Sequence, residues 1–478
     1  MQNKLLSSPL IIAGWLILLV IYVLAGTADV PFHGDESTQI YMSRDYAYQF
    51  IDHDYNTLAY NPNPVSATEQ ELRLLNGTVN KYLIGLAWHA NGMTISNINE
   101  QWDWGADWNY NQQNGHAPSA ALLLVARWPS AILLAAGVVV MFAIGRALGG
   151  TWTPYIASLY YALSPALLIN GRRAMMEGSF TFFSLLVVLV GIWLLQKPSM
   201  RRGILLGLVS GFALASKHTA IFTVAAVFIA ILLYLIYQSV RSEDDYSVVD
   251  YVLLPYLAIA GAIAFGCFLA LNPAWWGDPA ERATNVLQLR QTLLADQTAA
   301  FGGYANFGEK VGGFLRQSLI VPPQYYEVGA WQGYIGDQIS RYEASARHGV
   351  SVGGSVIGAL VMCGIMAAGT WDLIKPSAVI APHEDEADKP GVPQTQGGIR
   401  WLVGIWALVT IVTTLVLTPL EWQRYYLPVY PVMGLVAALG INRLIQSRKQ
   451  IMERLTRPKD ETPLSGDDSR PDTLPELT

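Results

Sequence analysis

The stretch that decides the fold class is LIIAGWLILLVIYVLAG, residues 10–26, followed closely by DVPFHGDESTQIYMSRDY, residues 29–46. The first part is apolar throughout and close to the length of about 20 residues that crosses the hydrocarbon core of a bilayer. The second part places two adjacent carboxylates, Asp35 and Glu36, just beyond that predicted span. Charged groups beside membrane spans are costly and commonly mark functional cavities, so this pair is a candidate site.

The composition of the whole chain indicates a membrane protein. Of its 478 residues, 52% are hydrophobic and only 14% are charged, whereas a soluble domain carries about 25% charged residues. We therefore predict an all-α polytopic membrane protein with about ten transmembrane helices. The predicted spans are 9–26, 120–146, 151–170, 176–196, 203–217, 219–238, 251–271, 351–373, 400–418 and 425–444.

Basic residues predict the orientation, because Lys and Arg concentrate in short cytoplasmic segments. They are frequent in the KPSMRR turn, residues 197–202, and in the segment after the last span. We expect both termini to be cytoplasmic, which leaves two large segments, 27–119 and 272–350, on the extracytoplasmic side. A transmembrane domain is expected over 1–446. The polar linker 374–399 and the tail 447–478, which is basic and then acidic, are expected to be cytoplasmic, with the tail disordered.

The first extracytoplasmic segment is too rich in helix signals to be a simple linker. TVNKYLIGLAWHANG, residues 78–92, has apolar residues at the spacing of one helical face. It is too short to span, so we predict a helix that lies in the membrane interface. The predicted face consists of Val79, Tyr82, Leu83, Leu86 and Ala90, and the predicted interface anchors are Trp88, Trp102, Trp104 and Trp108.

Three further charged clusters are predicted at the extracytoplasmic ends of spans, on the same side as Asp35 and Glu36. Cations there suit an anionic, lipid-linked substrate, because they hold phosphate while a carboxylate accepts a proton. The clusters are Arg172, Arg173 and Glu177 after the third span, Lys217 and His218 between the fifth and sixth, and Glu421, Arg424 and Tyr425 before the last.

Each charged group also has an ordinary structural explanation. Asp35 could cap the helix that follows it, with Glu36 favourable in its first turn. The arginines at 172 and 173, and Lys217, could reach lipid headgroups, and Arg424 could pair with Glu421 or with a lipid phosphate. The histidines of segment 27–119 lack metal-ligand spacing, and no nucleotide-binding motif is present, so we predict no metal site and no nucleic-acid partner.

Four motifs in order resemble those of the GT-C membrane glycosyltransferases, most closely the protein O-mannosyltransferases and the lipid A aminoarabinose transferases. One departure is NGHAPSAALLL, residues 114–124, which stands where these families have a Pro-Pro-Leu type of motif. The resemblance implies a GT-C-like helix bundle with interfacial helices in the first outer loop. The motifs are HGDEST (33–38), RRAMMEGSFTFF (172–183), GLVSGFALASKHTAIFTV (207–224) and QRYYLPVYPVMGLVAALG (423–440).

The resemblance also implies a reaction. The expected enzyme is an inverting glycosyltransferase that moves a sugar from a polyprenyl phosphate to a hydroxyl acceptor on the extracytoplasmic face. Asp35 would be the general base and Glu36 its helper. No cofactor is required, although a divalent metal is compatible with the chemistry. The remaining implied roles are donor-phosphate binding by Arg172, Arg173, Lys217 and Arg424, and sugar or acceptor binding by Glu177, His218 and Tyr425.

Other functional classes remain open from the sequence. An oligosaccharyltransferase or glycan polymerase ranks lower because a large soluble domain is not expected after the last span. A transporter would be expected to place ionisable groups near the middle of the membrane, whereas here they cluster at span ends. A catalytically silent subunit of a membrane complex is a further alternative.

Overall fold

The computed structural model describes residues 6–241, 248–375 and 395–456, and every regular element in these ranges is helical. Seven of the helices are long and apolar enough to cross a membrane. The chain is therefore an all-α integral membrane protein, as predicted, while the number of ten spans stays a prediction. The apolar helices are Pro9–Ala25, Ala120–Leu148, Thr153–Leu163, Pro165–Arg172, Glu177–Gln196, Met200–Ser216, Ile221–Arg241, Val248–Leu271, Val356–Ile374, Thr395–Leu417 and Val429–Thr456.

The predicted span 151–170 is broken into two helices at Ser164, which has extended backbone with ψ of 114°. The break follows from Pro165, because a proline disfavours helical geometry in the residue before it and fits well as the first residue of a new helix. The second helix, Pro165–Arg172, is wholly buried. It brings Arg172 and Arg173 against the end of the first apolar helix, where Arg172 Nε donates to the carbonyl of Val23 at 2.7 Å.

The apolar helices pack around one continuous hydrophobic core. Fully buried side chains from several of them meet there, among them Val138, Val188, Val227 and Leu402. One end of this bundle is closed by a buried charge cluster, in which Asp372 contacts Arg400 and Arg443. Arg400 lies near the start of helix Thr395–Leu417 and Arg424 follows its end, so the site described below lies at the other end of this helix, roughly 25 Å away.

The segments 27–119 and 272–350 fold into helices that pack over that second end, most of them short and one, Pro279–Phe301, of 23 residues. We term them the first and second outer segments. Residues 376–394 of the predicted linker and 457–478 of the predicted tail lie outside the described residues. The helices of the outer segments are Gly34–Met42, Asp45–Phe50, Tyr55–Leu58, Ala67–Leu75, Thr78–Ala90, Trp108–Gln113, Pro279–Phe301, Phe307–Leu315 and Gln332–Glu343.

Helix Thr78–Ala90 forms where the sequence predicts it, and the side that it buries in the protein includes polar residues. Leu86 is 48% exposed, whereas Lys81 and Trp88 are buried. Polar partners decide this orientation: Lys81 Nζ lies 2.6 Å from a carboxylate oxygen of Asp45, and Trp88 Nε1 donates to Ser43 Oγ at 3.0 Å. Trp88 is therefore a core residue of the first outer segment and not an interface anchor.

Candidate active site

Asp35 lies in the first turn of helix Gly34–Met42, which we term the Asp35 helix. His33, not Asp35, is the N-cap: its Nδ1 accepts the backbone N–H of Asp35 at 3.1 Å. The reciprocal bond runs from the His33 N–H to Glu36 Oε2, also at 3.1 Å. This arrangement is a capping box. The interpretation of Asp35 as the cap is therefore wrong, and its carboxylate, 29% exposed, is left for other partners.

Glu36 points the opposite way, into the protein, and is fully buried. Arg127 donates to both of its oxygens, from Nε to Oε1 at 2.7 Å and from Nη2 to Oε2 at 2.8 Å. The Ala174 N–H adds a bond to Oε1 at 2.9 Å. Burial alone would raise the pKa of Glu36, but Arg127, together with Arg173 and the Ala174 N–H, holds it below its ordinary value. This carboxylate is ionised, saturated with donors and closed to solvent.

Arg424 is the partner of the Asp35 carboxylate. It lies in the short helical turn Gln423–Tyr426 and forms an ion pair with Asp35 Oδ2, while its Nε lies 3.4 Å from Glu327 Oε1. The suggested pairing with Glu421 is wrong, because Glu421 pairs with Arg316 at 2.7 Å. Burial lowers the pKa of Arg424, but the charges of Glu327 and Asp35 raise it above its ordinary value.

Glu327 comes from the second outer segment and was not identified from the sequence. Its side chain is 12% exposed, and His33 Nε2 lies 2.6 Å from its Oε2. Burial would raise the pKa of Glu327, but Arg424 and His33 hold it well below its ordinary value. No periodic pattern or motif marks this position in the sequence, so only the folded structure reveals it.

Two of the three arginines predicted to bind phosphate, Arg172 and Arg173, are buried and bonded to protein oxygens. Arg173 donates to the carbonyls of Pro31 and Tyr325, at 3.0 and 2.8 Å. Gly26 makes room for the Arg172 side chain, since a Cβ at that position would lie 2.5 Å from the guanidinium carbon. The acceptors of Arg172 are the carbonyls of Tyr22, Val23 and Arg347 and the hydroxyl of Tyr342.

Lys217 and Glu177 form a second ion pair, with Lys217 Nζ 3.0 Å from Glu177 Oε1. Glu177 is 5% exposed at its side chain and Lys217 is 16% exposed. The second oxygen of Glu177, Oε2, is buried without a hydrogen-bond partner among the described residues. Together with Glu327 and Asp35, the charge of Glu177 opposes the effect of burial and raises the pKa of Arg424.

The other two predicted binding residues, His218 and Tyr425, lie near helix Pro279–Phe301 of the second outer segment. Nε2 of His218 is buried without a partner in the described ranges, and the ring packs against Trp275 with centroids 5.4 Å apart. The Tyr425 hydroxyl donates to Gln297 Oε1 at 3.2 Å. Burial raises the pKa of Tyr425, and the positive charges of Arg424 and Arg290 oppose that rise.

Arg290 is a cation that the sequence analysis missed. It lies on the same helix as Gln297, seven positions earlier, and residues seven apart share a helical face. It therefore faces the Tyr425 side of the site. Within the described part of the chain, no hydrogen bond or ion pair occupies its partly exposed guanidinium.

An aromatic cluster covers the start of the Asp35 helix. A Cβ at Gly34 would lie 3.0–3.1 Å from the indoles of Trp102, Trp104 and Trp331, so a larger residue there would require these rings to shift. Trp104 is 51% exposed and stacks on Trp331 with ring centroids 5.8 Å apart. Trp102 is buried within the cluster instead of anchoring the protein in the interface. The cluster leaves one open aromatic face beside the site.

In the described ranges, no group of three His, Cys, Asp or Glu side chains is arranged to hold a metal ion. The site instead consists of paired charges. Asp35 pairs with Arg424, and Lys217 pairs with Glu177. Glu36 points away from Asp35 and pairs with Arg127.

A family model described as dolichyl-phosphate-mannose-protein mannosyltransferase matches residues 77–274. No curated protein sequence matches the chain. Among solved structures, the oligosaccharyltransferase of Archaeoglobus fulgidus in its apo form matches with a TM-score of 0.50 and 11% identity, covering 94% of this chain and 52% of that one.

Two other solved structures match less well. ArnT from Cupriavidus metallidurans, bound to undecaprenyl phosphate, has a TM-score of 0.45 and 13% identity, covering 93% of this chain and 62% of that one. The Pmt1–Pmt2 protein O-mannosyltransferase complex of S. cerevisiae, bound to the sugar donor, has a TM-score of 0.41 and 16% identity, covering 57% of this chain and 33% of that one.

The match of residues 77–274 to the mannosyltransferase family model and the likeness to the oligosaccharyltransferase show that the chain has a GT-C fold, as the resemblance in the sequence implied. It spans only part of the length of the proteins that it matches, from 33% to 62% in the three structures above.

Proposed function

We propose that this chain is an inverting GT-C glycosyltransferase that transfers a sugar from a polyprenyl phosphate to a hydroxyl acceptor on the extracytoplasmic face. Asp35 is the general base. The observation that supports this most strongly is the ion pair between Asp35, a partly exposed carboxylate, and Arg424, a cation able to bind phosphate. The family-model match to mannosyltransferases supports the same reaction class.

A base is needed because a hydroxyl is a weak nucleophile at neutral pH. Asp35 accepts the hydroxyl proton from within about 3 Å as the new bond forms between the acceptor oxygen and sugar C1. The bond between C1 and the phosphate oxygen breaks at the same time, and polyprenyl phosphate leaves. Direct inversion requires no carboxylate nucleophile. Glu36 fits this scheme as a structural residue and not as a second reactive group, because it is buried and both of its carboxylate oxygens accept hydrogen bonds from the protein.

Donor binding involves an exchange of partners at Arg424. A phosphate oxygen and the Asp35 carboxylate compete for the same guanidinium, so the donor displaces Asp35 and frees it to act as a base. Lys217 and Arg290 supply further positive charge, and Arg290 has no competing partner in the described ranges. Their charge also stabilises the departing phosphate, which carries more negative charge than the donor.

Arg172 and Arg173 take an indirect part in this scheme, since protein oxygens occupy their guanidinium groups. They hold the backbone before the Asp35 helix. The sugar is bound by Glu177 and His218, whose buried Oε2 and Nε2 atoms have no partner among the residues that the structure describes and are suitable for sugar hydroxyls. Tyr425 lines the same side, and the exposed face of Trp104 is available for the acceptor.

The test is transfer in proteoliposomes, using labelled undecaprenyl- and dolichyl-phosphate sugars with peptide, lipid and glycan acceptors. Asp35→Asn should slow transfer by about 10²- to 10⁴-fold, the usual contribution of a general base. Asp52→Asn, an exposed carboxylate of the same outer segment, is the matched control and should transfer normally.

Three outcomes would contradict the proposal. Transfer by Asp35→Asn at the wild-type rate would show that Asp35 is not the base. Movement of solute by the wild type with the donor left intact would indicate a transporter. Absence of any donor cleavage by the wild type across these donors and acceptors would favour a silent subunit.

A further inference from the structure

Glu327 contacts both His33 and Arg424, the two residues that flank Asp35 in the proposed site. Its two carboxylate oxygens have different partners: Oε2 lies 2.6 Å from His33 Nε2, and Oε1 lies 3.4 Å from Arg424 Nε. Asp35, the proposed base, is bonded to both of those partners, through its backbone N–H to His33 and through its carboxylate to Arg424. Glu327 and Asp35 are thus linked along two separate routes.

The hydrogen bonds assign the protonation of His33. Its Nδ1 accepts the Asp35 N–H, so that nitrogen carries a lone pair and the ring proton lies on Nε2. Nε2 then donates to Glu327, which fixes the tautomer and the ring orientation. A neutral His33 held in this way sets the position of the first turn of the Asp35 helix.

The loop that carries Glu327 is fastened on both sides. Arg173 bonds to the carbonyls of Pro31 and Tyr325, and so joins this loop to the chain just before His33. On the other side, Gln324 and Gln423 exchange backbone-to-side-chain bonds of 3.0 and 2.7 Å, which join the loop to the turn that contains Arg424. These bonds leave Glu327 little freedom to move away from either partner.

We propose that Glu327 is a positioning residue of the transferase site, which sets the placement of Asp35 through His33 and attracts the guanidinium of Arg424 by its charge, at 3.4 Å from Nε and without a hydrogen bond among the described residues. This inference rests on the proposed function. Arg424 Nε remains with Glu327 when the donor phosphate replaces Asp35 on the other side of the guanidinium. The cation therefore stays in place while the base is released.

The test uses steady-state transfer by Glu327→Gln, with Asp337→Asn, an exposed carboxylate of the same segment, as the matched control. The glutamine keeps the shape and removes the charge. We expect kcat to fall by about 10- to 100-fold, the cost of a small misplacement of reacting groups. We expect acceptor KM to stay near wild type, and Glu327→Asp to recover part of kcat.

A double-mutant comparison tests the link through His33. Asparagine remains a good N-cap, so His33→Asn should slow transfer without unfolding the helix, and the double variant should be no slower than Glu327→Gln alone. If the two losses multiply, His33 and Glu327 act independently and the link is wrong. This comparison also applies if Glu327→Gln alters folding.

The outcomes separate this inference from the proposed function. If the wild type transfers, Asp35→Asn does not, and Glu327→Gln equals Asp337→Asn, only the role of Glu327 is refuted. If Asp35→Asn transfers at the wild-type rate, the proposed function itself fails, whatever Glu327→Gln does.

Discussion

The two sides of the Asp35 helix present adjacent carboxylates in opposite environments. On the inner side, Glu36 is fully buried and receives four hydrogen bonds, two from Arg127 and one each from the backbone N–H groups of His33 and Ala174. On the outer side, Asp35 is 29% exposed and pairs with Arg424, which it shares with Glu327. Adjacent acids on one helix can therefore differ in their partners: Glu36 is held inside the fold, whereas Asp35, in the function proposed above, exchanges Arg424 with the donor phosphate.

The largest effect that we expect is a loss of stability when Glu36 is neutralised. Glu36→Gln removes one partner of a buried ion pair and leaves the Arg127 charge uncompensated, which should lower the free energy of unfolding by about 3–5 kcal/mol. Glu100→Gln, an exposed acid of the same outer segment, is the control and should change it by about 0.5 kcal/mol or less. Thermal unfolding in detergent measures both. Wild-type stability of Glu36→Gln would remove the distinction between the two carboxylates.

A smaller effect is expected from pH. The pKa values of Glu36 and Glu327 lie below the ordinary 4.5 in the folded chain, so the unfolded chain binds more protons at low pH. Their contribution to stability is therefore complete above pH 4.5 and is lost as the pH falls below that value. The melting temperature should show no loss from these groups between pH 8 and pH 5. A loss that begins near neutral pH and disappears in Glu36→Gln would contradict the assignment.

The fold class and the location of the site could be predicted from the sequence, because both depend on local patterns. Apolar segments predicted membrane helices, and charges at their ends predicted that Asp35 and Arg424 would lie at the same end of the bundle. The different burial and ion-pair partners of Asp35 and Glu36 could not be predicted, since they depend on which cation lies beside each carboxylate in the folded chain.

Two charged partners, Arg127 and Glu327, were not identified from the sequence, and only Arg127 is marked by a pattern in the sequence. Arg127 stands alone among apolar residues in the predicted span 120–146, and an arginine there requires a buried partner. Glu327 lies in a loop without periodicity, and its position is set by long-range bonds from Arg173 and Gln423. Contacts of this kind between distant parts of the chain leave no pattern in either segment.

The central claim, that Asp35 and the donor phosphate compete for Arg424, is tested most directly by the affinity of purified protein for undecaprenyl phosphate. Asp35→Asn abolishes the competing charge, and a partly exposed ion pair is worth up to about 1 kcal/mol, so the variant should bind this lipid about fivefold more tightly than the wild type. Asp52→Asn should bind as the wild type does. Unchanged or weaker binding by Asp35→Asn would show that no such competition exists.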